Sequence, residues 1–184
     1  MPGPESSADD LAYVASAIRR DRPHDAASIY FLWALITPVG FALADLSPLH
    51  AGPFWAIAGP LGGLVSAFLG ARSERSAGIG NRENGLRQGM HWLITGVAMF
   101  LFGGYLYGLG GYAAGQHASG FLLLIGLAYA LAGVHLNRGL LPTGLVMLAG
   151  YLALAILQLP WAWTGTGLLC GLTLFIGGLR ARDA

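Results

Sequence analysis

Residues 58–70 read AGPLGGLVSAFLG, with four glycines, one proline and no charge in thirteen positions. In water this is a poor helix, because each glycine costs about 1 kcal/mol relative to alanine and an internal proline about 3. It nevertheless sits inside a long apolar run. In a bilayer the backbone must satisfy its own hydrogen bonds, so such a run is helical whatever its intrinsic propensity. Small residues then become an asset, since they let helix backbones approach each other. Ala58, Gly62, Ser66 and Gly70 recur every four residues, and Gly59, Gly63, Ala67 and Ala71 form a second stripe beside them. The pattern predicts a helix-packing face, central in the protein or at an oligomer interface. Gly104 with Gly108, and Gly167 with Gly171, repeat the motif more weakly.

The rest of the chain has the same character. It has 184 residues, 55 % hydrophobic and 10 % charged, whereas a soluble domain carries about 25 % charged residues. Six apolar segments follow a polar start, at roughly 28–46, 53–71, 91–112, 120–136, 140–158 and 163–180. A span needs ~20 residues to cross ~30 Å of hydrocarbon, and the fourth segment is at the short end. The period-2 alternation of a membrane barrel is absent. The expected fold is therefore all-α, a polytopic membrane protein with six transmembrane helices arranged as three hairpins. Residues 1–27 form a separate N-terminal segment and residues 28–184 the transmembrane domain. Ala42-Leu43-Ala44 resembles a signal-peptidase site, but the long preceding segment carries Asp9, Asp10, Asp21 and Asp25, so the first segment reads as a retained span.

Arginine sets the orientation. The chain has no lysine, and its ten arginines fall in the N-terminal segment (Arg19, Arg20, Arg22), the second loop (Arg72, Arg75, Arg82, Arg87), the fourth loop (Arg138) and the tail (Arg180, Arg182). The other loops, SPLH, AAGQHAS and LPW, hold none. With six spans every arginine lies on one side, and the positive-inside rule puts both termini in the cytoplasm, with the chain in the inner membrane. The lack of lysine excludes a retinal-type Schiff base and a lysine-dependent phosphate loop. Cys170 stands alone, so no intrachain disulfide or cysteine zinc site exists. GIGNRENG in the second loop lacks the strand and lysine of a nucleotide loop. No nucleophile–base pair or metal motif appears, and no enzyme activity, cofactor or nucleic-acid partner is expected.

A candidate outer cleft remains. Pro38 and Pro60 sit at matched depth in the first two spans and free the carbonyls of Ala34 and Ala56. Two kinks there would splay the outer half of the hairpin. Asp45, His50 and His117 lie near that mouth, and Asp45 is the only acidic residue outside the expected cytoplasmic segments. An acid with two imidazoles suits a divalent transition metal or a response to outside pH, although no metal geometry is encoded. His91 opens the third span and His135 closes the fourth, both at the cytoplasmic edge, not within the spans as a bis-histidine haem requires. Tyr129 and Tyr151 lie deep and need hydrogen-bond partners. At the other side of the membrane, SADDLAYVASAIRR (residues 7–20) reads as a short amphipathic helix, with Leu11, Val14 and Ile18 on one face.

The second helix of each hairpin is glycine-rich and runs into arginine: GPLGGLVSAFLGAR, IGLAYALAGVHLNR and CGLTLFIGGLRAR. In this layout, over residues 28–180, the chain resembles the six-helix HdeD-like acid-resistance membrane proteins of bacteria. The resemblance implies a stress-related membrane protein and carries over no site residue. The expected function is that of a non-enzymatic integral membrane protein, a homo-oligomer or a membrane-complex subunit, acting through glycine-mediated packing and its cytoplasmic face. The alternative is a small channel or carrier for a neutral or weakly charged solute, using the proline kinks and Asp45.

Overall fold

A computed structural model describes residues 25–77, 82–108, 118–157 and 160–183. Among them the chain is helical throughout: α1 (Asp25–Leu46), α2 (Pro48–Ala77), α3 (Arg82–Gly108), α4 (Gly120–His135), α5 (Leu141–Leu157) and α6 (Ala162–Asp183), with a short 3-10 turn at Arg138–Leu140. Five of these helices are long and apolar enough to cross a membrane, while α4, at 16 residues, is apolar but shorter. The described residues are thus those of an all-helical membrane protein. The segment SADDLAYVASAIRR and His117 lie outside the described residues.

Two boundaries differ from the sequence reading. SPLH is not a loop, since Ser47 alone separates α1 from α2. Pro48 occupies the first position of α2, where its missing N–H forfeits no helical bond. Ser47 N–H bonds Leu43 C=O at 2.8 Å, and His50 N–H bonds Ser47 C=O at 2.9 Å, so the reversal stays hydrogen-bonded. The long second loop is also mostly helix. Helix α2 runs on to Ala77 and α3 begins at Arg82, because once past the bilayer polar residues such as Arg75 and Glu83 are solvated without leaving the helix.

The most extensive contact joins α1 to α6, the first helix to the last, followed by α4 with α5 and α1 with α2. Between α1 and α6 the approach is set by Gly167 and Gly171. A Cβ on Gly167 would lie 2.8 Å from Phe41 Cβ, and one on Gly171 would collide with Pro38 Cγ. Between α4 and α5 the turn is made by Asn137, which adopts an extended backbone and accepts the Gly139 N–H on its side-chain oxygen at 2.9 Å. Gly133 and Gly144 then let the two backbones touch. A Cβ on Gly133 would lie 2.5 Å from Leu141 Cα, and one on Gly144 would collide with Ala130 N.

Two apolar clusters fill the body. One gathers Phe41, Ala44, Ala51, Leu106, Ala118 and Trp163. The other gathers Leu122, Tyr129, Met147, Leu154, Cys170 and Leu174. Helices α2 and α3 add one buried residue each to the first, Ala51 and Leu106, and none to the second. Only 6 % of the spanning stretch of each is buried, against 39 % for α6. They flank a body made by α1, α4, α5 and α6 as a more exposed arm, α2 packed chiefly on α1 and α3 on α4.

Candidate functional site

Asp45 sits at the end of α1 beside the start of α6. Its Oδ2 accepts two hydrogen bonds from Thr164, from the backbone N–H at 2.8 Å and from Oγ1 at 2.7 Å. The first turn of a helix carries unpaired N–H donors and a partial positive charge, so a carboxylate there is doubly favoured. Asp45 therefore clamps the first helix to the last. The groups around it are aromatic: Phe41 stacks on Trp163 at 6.1 Å and meets Trp55 and Phe121 edge-on, both at 5.2 Å. Phe102 closes the group against Phe121 at 5.0 Å.

The other members of the expected cleft have separate surroundings. His50 is exposed, and its Nδ1 pairs with Ser47 Oγ at 2.7 Å, within the α1–α2 turn. Pro38 packs into the notch left by Gly171, and the carbonyl it frees, that of Ala34, also faces Gly171. Such a carbonyl beside a glycine Cα–H makes a weak interhelical hydrogen bond. Pro60 is exposed on α2. Among the described residues the two prolines thus face different environments, and no three His, Cys, Asp or Glu side chains gather as metal ligands. His91 Nε2 lies 3.0 Å from Ala128 C=O, tying α3 to α4, while His135 is exposed.

The glycine stripe of residues 58–70 divides between two neighbours. Gly62 and Ser66 face α1. Trp33 Nε1 donates to Ser66 Oγ at 3.0 Å, Ser66 Oγ donates on to Gly62 C=O at 2.8 Å, and a Cβ on Gly62 would sit 3.1 Å from the Trp33 ring. Gly59 faces α3, where a Cβ would meet Phe100 at 3.0 Å. Ala58 is half-buried nearby. Gly63 and Gly70 follow Gly59 along the same flank, about 40° and 20° away at 100° per residue. Among the described residues nothing stands within 4 Å of a Cβ at either. Gly89, Gly96 and Gly104 of α3 are equally open. The two arm helices touch at Gly59 and Phe100, with open glycine surface on both beyond that contact.

Thr37 and Thr166 escaped the sequence reading, and Cys170 appeared in it only as a lone cysteine. Thr37, Thr166 and Cys170 form a polar line buried between α1 and α6. Thr37 Oγ1 donates to Trp33 C=O at 2.9 Å, Cys170 is fully buried one turn from Thr166, and Thr166 Oγ1 is buried with no hydrogen-bond partner among the described residues. Nearby, Tyr129 packs against Trp92 at 5.0 Å and Tyr30 at 6.2 Å. The spacing of Thr166, Cys170 and Thr173 at i, i+4 and i+7 was the available signal. Compared with known protein families, with curated proteins and with solved structures, the chain matches none.

Proposed function

We propose that this chain is a non-enzymatic subunit of an inner-membrane assembly, with six spans in three hairpins and both termini cytoplasmic. Its α2–α3 arm receives a transmembrane helix, in the first instance one from a second copy. The observation that carries this reading is the open glycine surface beside Gly63, Gly70 and Gly96. In lipid, helices gain little by hiding apolar area, so close van der Waals packing at small residues is what binds them. A glycine flank facing lipid gives up that packing and keeps the entropic cost of glycine. A helix laid along it recovers the packing. A stress-related role, as in the HdeD-like layout, is part of the same proposal.

Native mass spectrometry from mild detergent tests it. The wild type is expected as a discrete assembly, a multiple of 19.2 kDa or this chain with a second one. Gly63→Leu is expected to release single chains. A wild type that runs only as a single chain contradicts the proposal.

A second reading, a small carrier for a neutral or weakly charged solute, is favoured by one observation, the unpartnered hydroxyl of Thr166 one turn from Cys170. A buried polar atom without a partner calls for water or a solute group. Thr166→Val separates the two readings: a carrier loses flux in vesicles, whereas a packing subunit keeps its assembly.

A further inference from the structure

The face of α2 directed away from α1 has its own pattern. Ile57, Leu61, Leu64 and Phe68 are 55–68 % exposed, and the same line ends in the exposed Arg72 and Arg75. At 100° per residue these six positions fall within an arc of about 80°. From residue 57 to residue 72 the line is about 22 Å long at 1.5 Å per residue, more than the ~15 Å of hydrocarbon in one leaflet. Phe68, Ala71, Arg72 and Arg75 enclose a shallow cleft of about 190 Å³ at its polar end. The spanning stretch of α2 ends at Ser73, so this cleft stands at the depth of the lipid headgroups.

Two guanidiniums one turn apart match a phosphate in charge and in hydrogen-bond geometry. Immediately below them an aromatic ring and three aliphatic side chains offer a track for an acyl chain. We propose that this face of α2 holds one anionic phospholipid, its phosphate on Arg72 and Arg75 and a chain along Phe68, Leu64 and Leu61. The site rests on the reading of α2 as a membrane span. It is independent of the glycine flank, which lies about 100–180° away around the same helix.

The test is native mass spectrometry of the full chain from mild detergent, titrated separately with phosphatidylglycerol, phosphatidylcholine and inorganic phosphate. One phosphatidylglycerol is expected to be retained in clear preference to phosphatidylcholine. Each of Arg72→Gln and Arg75→Gln is expected to lower that preference about fivefold. Arg180→Gln with Arg182→Gln, at the end of α6, is expected to leave it unchanged, and circular dichroism checks that every variant is folded. Phe68→Ala is expected to weaken phosphatidylglycerol without creating a preference for phosphatidylcholine. Equal retention of the two lipids overturns the proposal. So does full preference in the Arg72→Gln/Arg75→Gln double variant, or retention of inorganic phosphate with no lipid preference. Gly63→Leu, which addresses assembly alone, is expected to retain the lipid, so the two proposals fail separately.

Discussion

Between α4 and α5, glycine brings two backbones together, whereas between α2 and α3 it leaves a gap. Both pairs are formed by consecutive helices, and both are glycine-rich. In the first pair, Gly133 and Gly144 each face backbone atoms of the opposing helix, and Asn137 fixes the turn that brings them there. In the second, Phe100 meets Gly59, while Gly63, Gly70 and Gly96 face open space. A glycine therefore does not define an interface by itself. The residue opposite does, together with the turn that sets where the partner helix arrives.

The largest effect should come from filling the closed pair. Gly144→Leu drives a side chain into the Ala130 backbone, and overpacking of this kind costs about 3 kcal/mol or more. Thermal unfolding in detergent should show a large loss of stability or no folded protein. An unchanged midpoint would mean that α4 and α5 are not in contact there. Next is the clamp that closes the body. Asp45→Ala removes the acceptor of two Thr164 hydrogen bonds, at about 1–2 kcal/mol. Unfolding should be easier, and hydrogen exchange at the start of α6 faster. If only metal binding or solute flux changed, the carboxylate would belong to a site and not to a clamp.

Weaker effects are expected where the arm meets the body. Trp33→Phe keeps the ring and deletes the bond to Ser66, and polar contacts between membrane helices average about 0.6 kcal/mol. The arm should loosen while the body keeps its stability, which exchange protection in α2 would read. Smallest of all is Gly63→Leu. Nothing lies within 4 Å to collide with it, and leucine is the better helix former by up to ~1 kcal/mol. The isolated chain should be as stable as before or slightly more so. A destabilisation like that of Gly144→Leu would erase the distinction between the two pairs.

The membrane class was legible because long uncharged runs have few physical meanings. The composition of residues 58–70 also revealed that α2 carries a small-residue face. Periodicity could not say what stands opposite each position. The stripe serves Trp33 at Gly62 and Ser66, Phe100 at Gly59, and no neighbour at Gly70. The segments SPLH and ARSERSAG read as loops from their proline and charge. Proline is harmless at the first helical position, and charge is harmless to a helix beyond the bilayer, so both are mostly helix. Asp45 was visible as the lone outer acid. Its partner Thr164 lies 119 residues away, a separation that no local pattern encodes. The line from Ile57 to Arg75 was written in the sequence throughout. It becomes a surface only once α1 is seen to occupy the other side of α2.

The most direct test places a photo-crosslinking side chain in turn at position 63 and at position 57, in the membrane and in an otherwise unchanged chain. The two positions lie on different faces of one helix. Position 63 is expected to give a protein adduct, with the mass of a second chain, and position 57 lipid adducts only. Lipid adducts at both positions would contradict the account, because the glycine flank of α2 would then be ordinary lipid-facing surface.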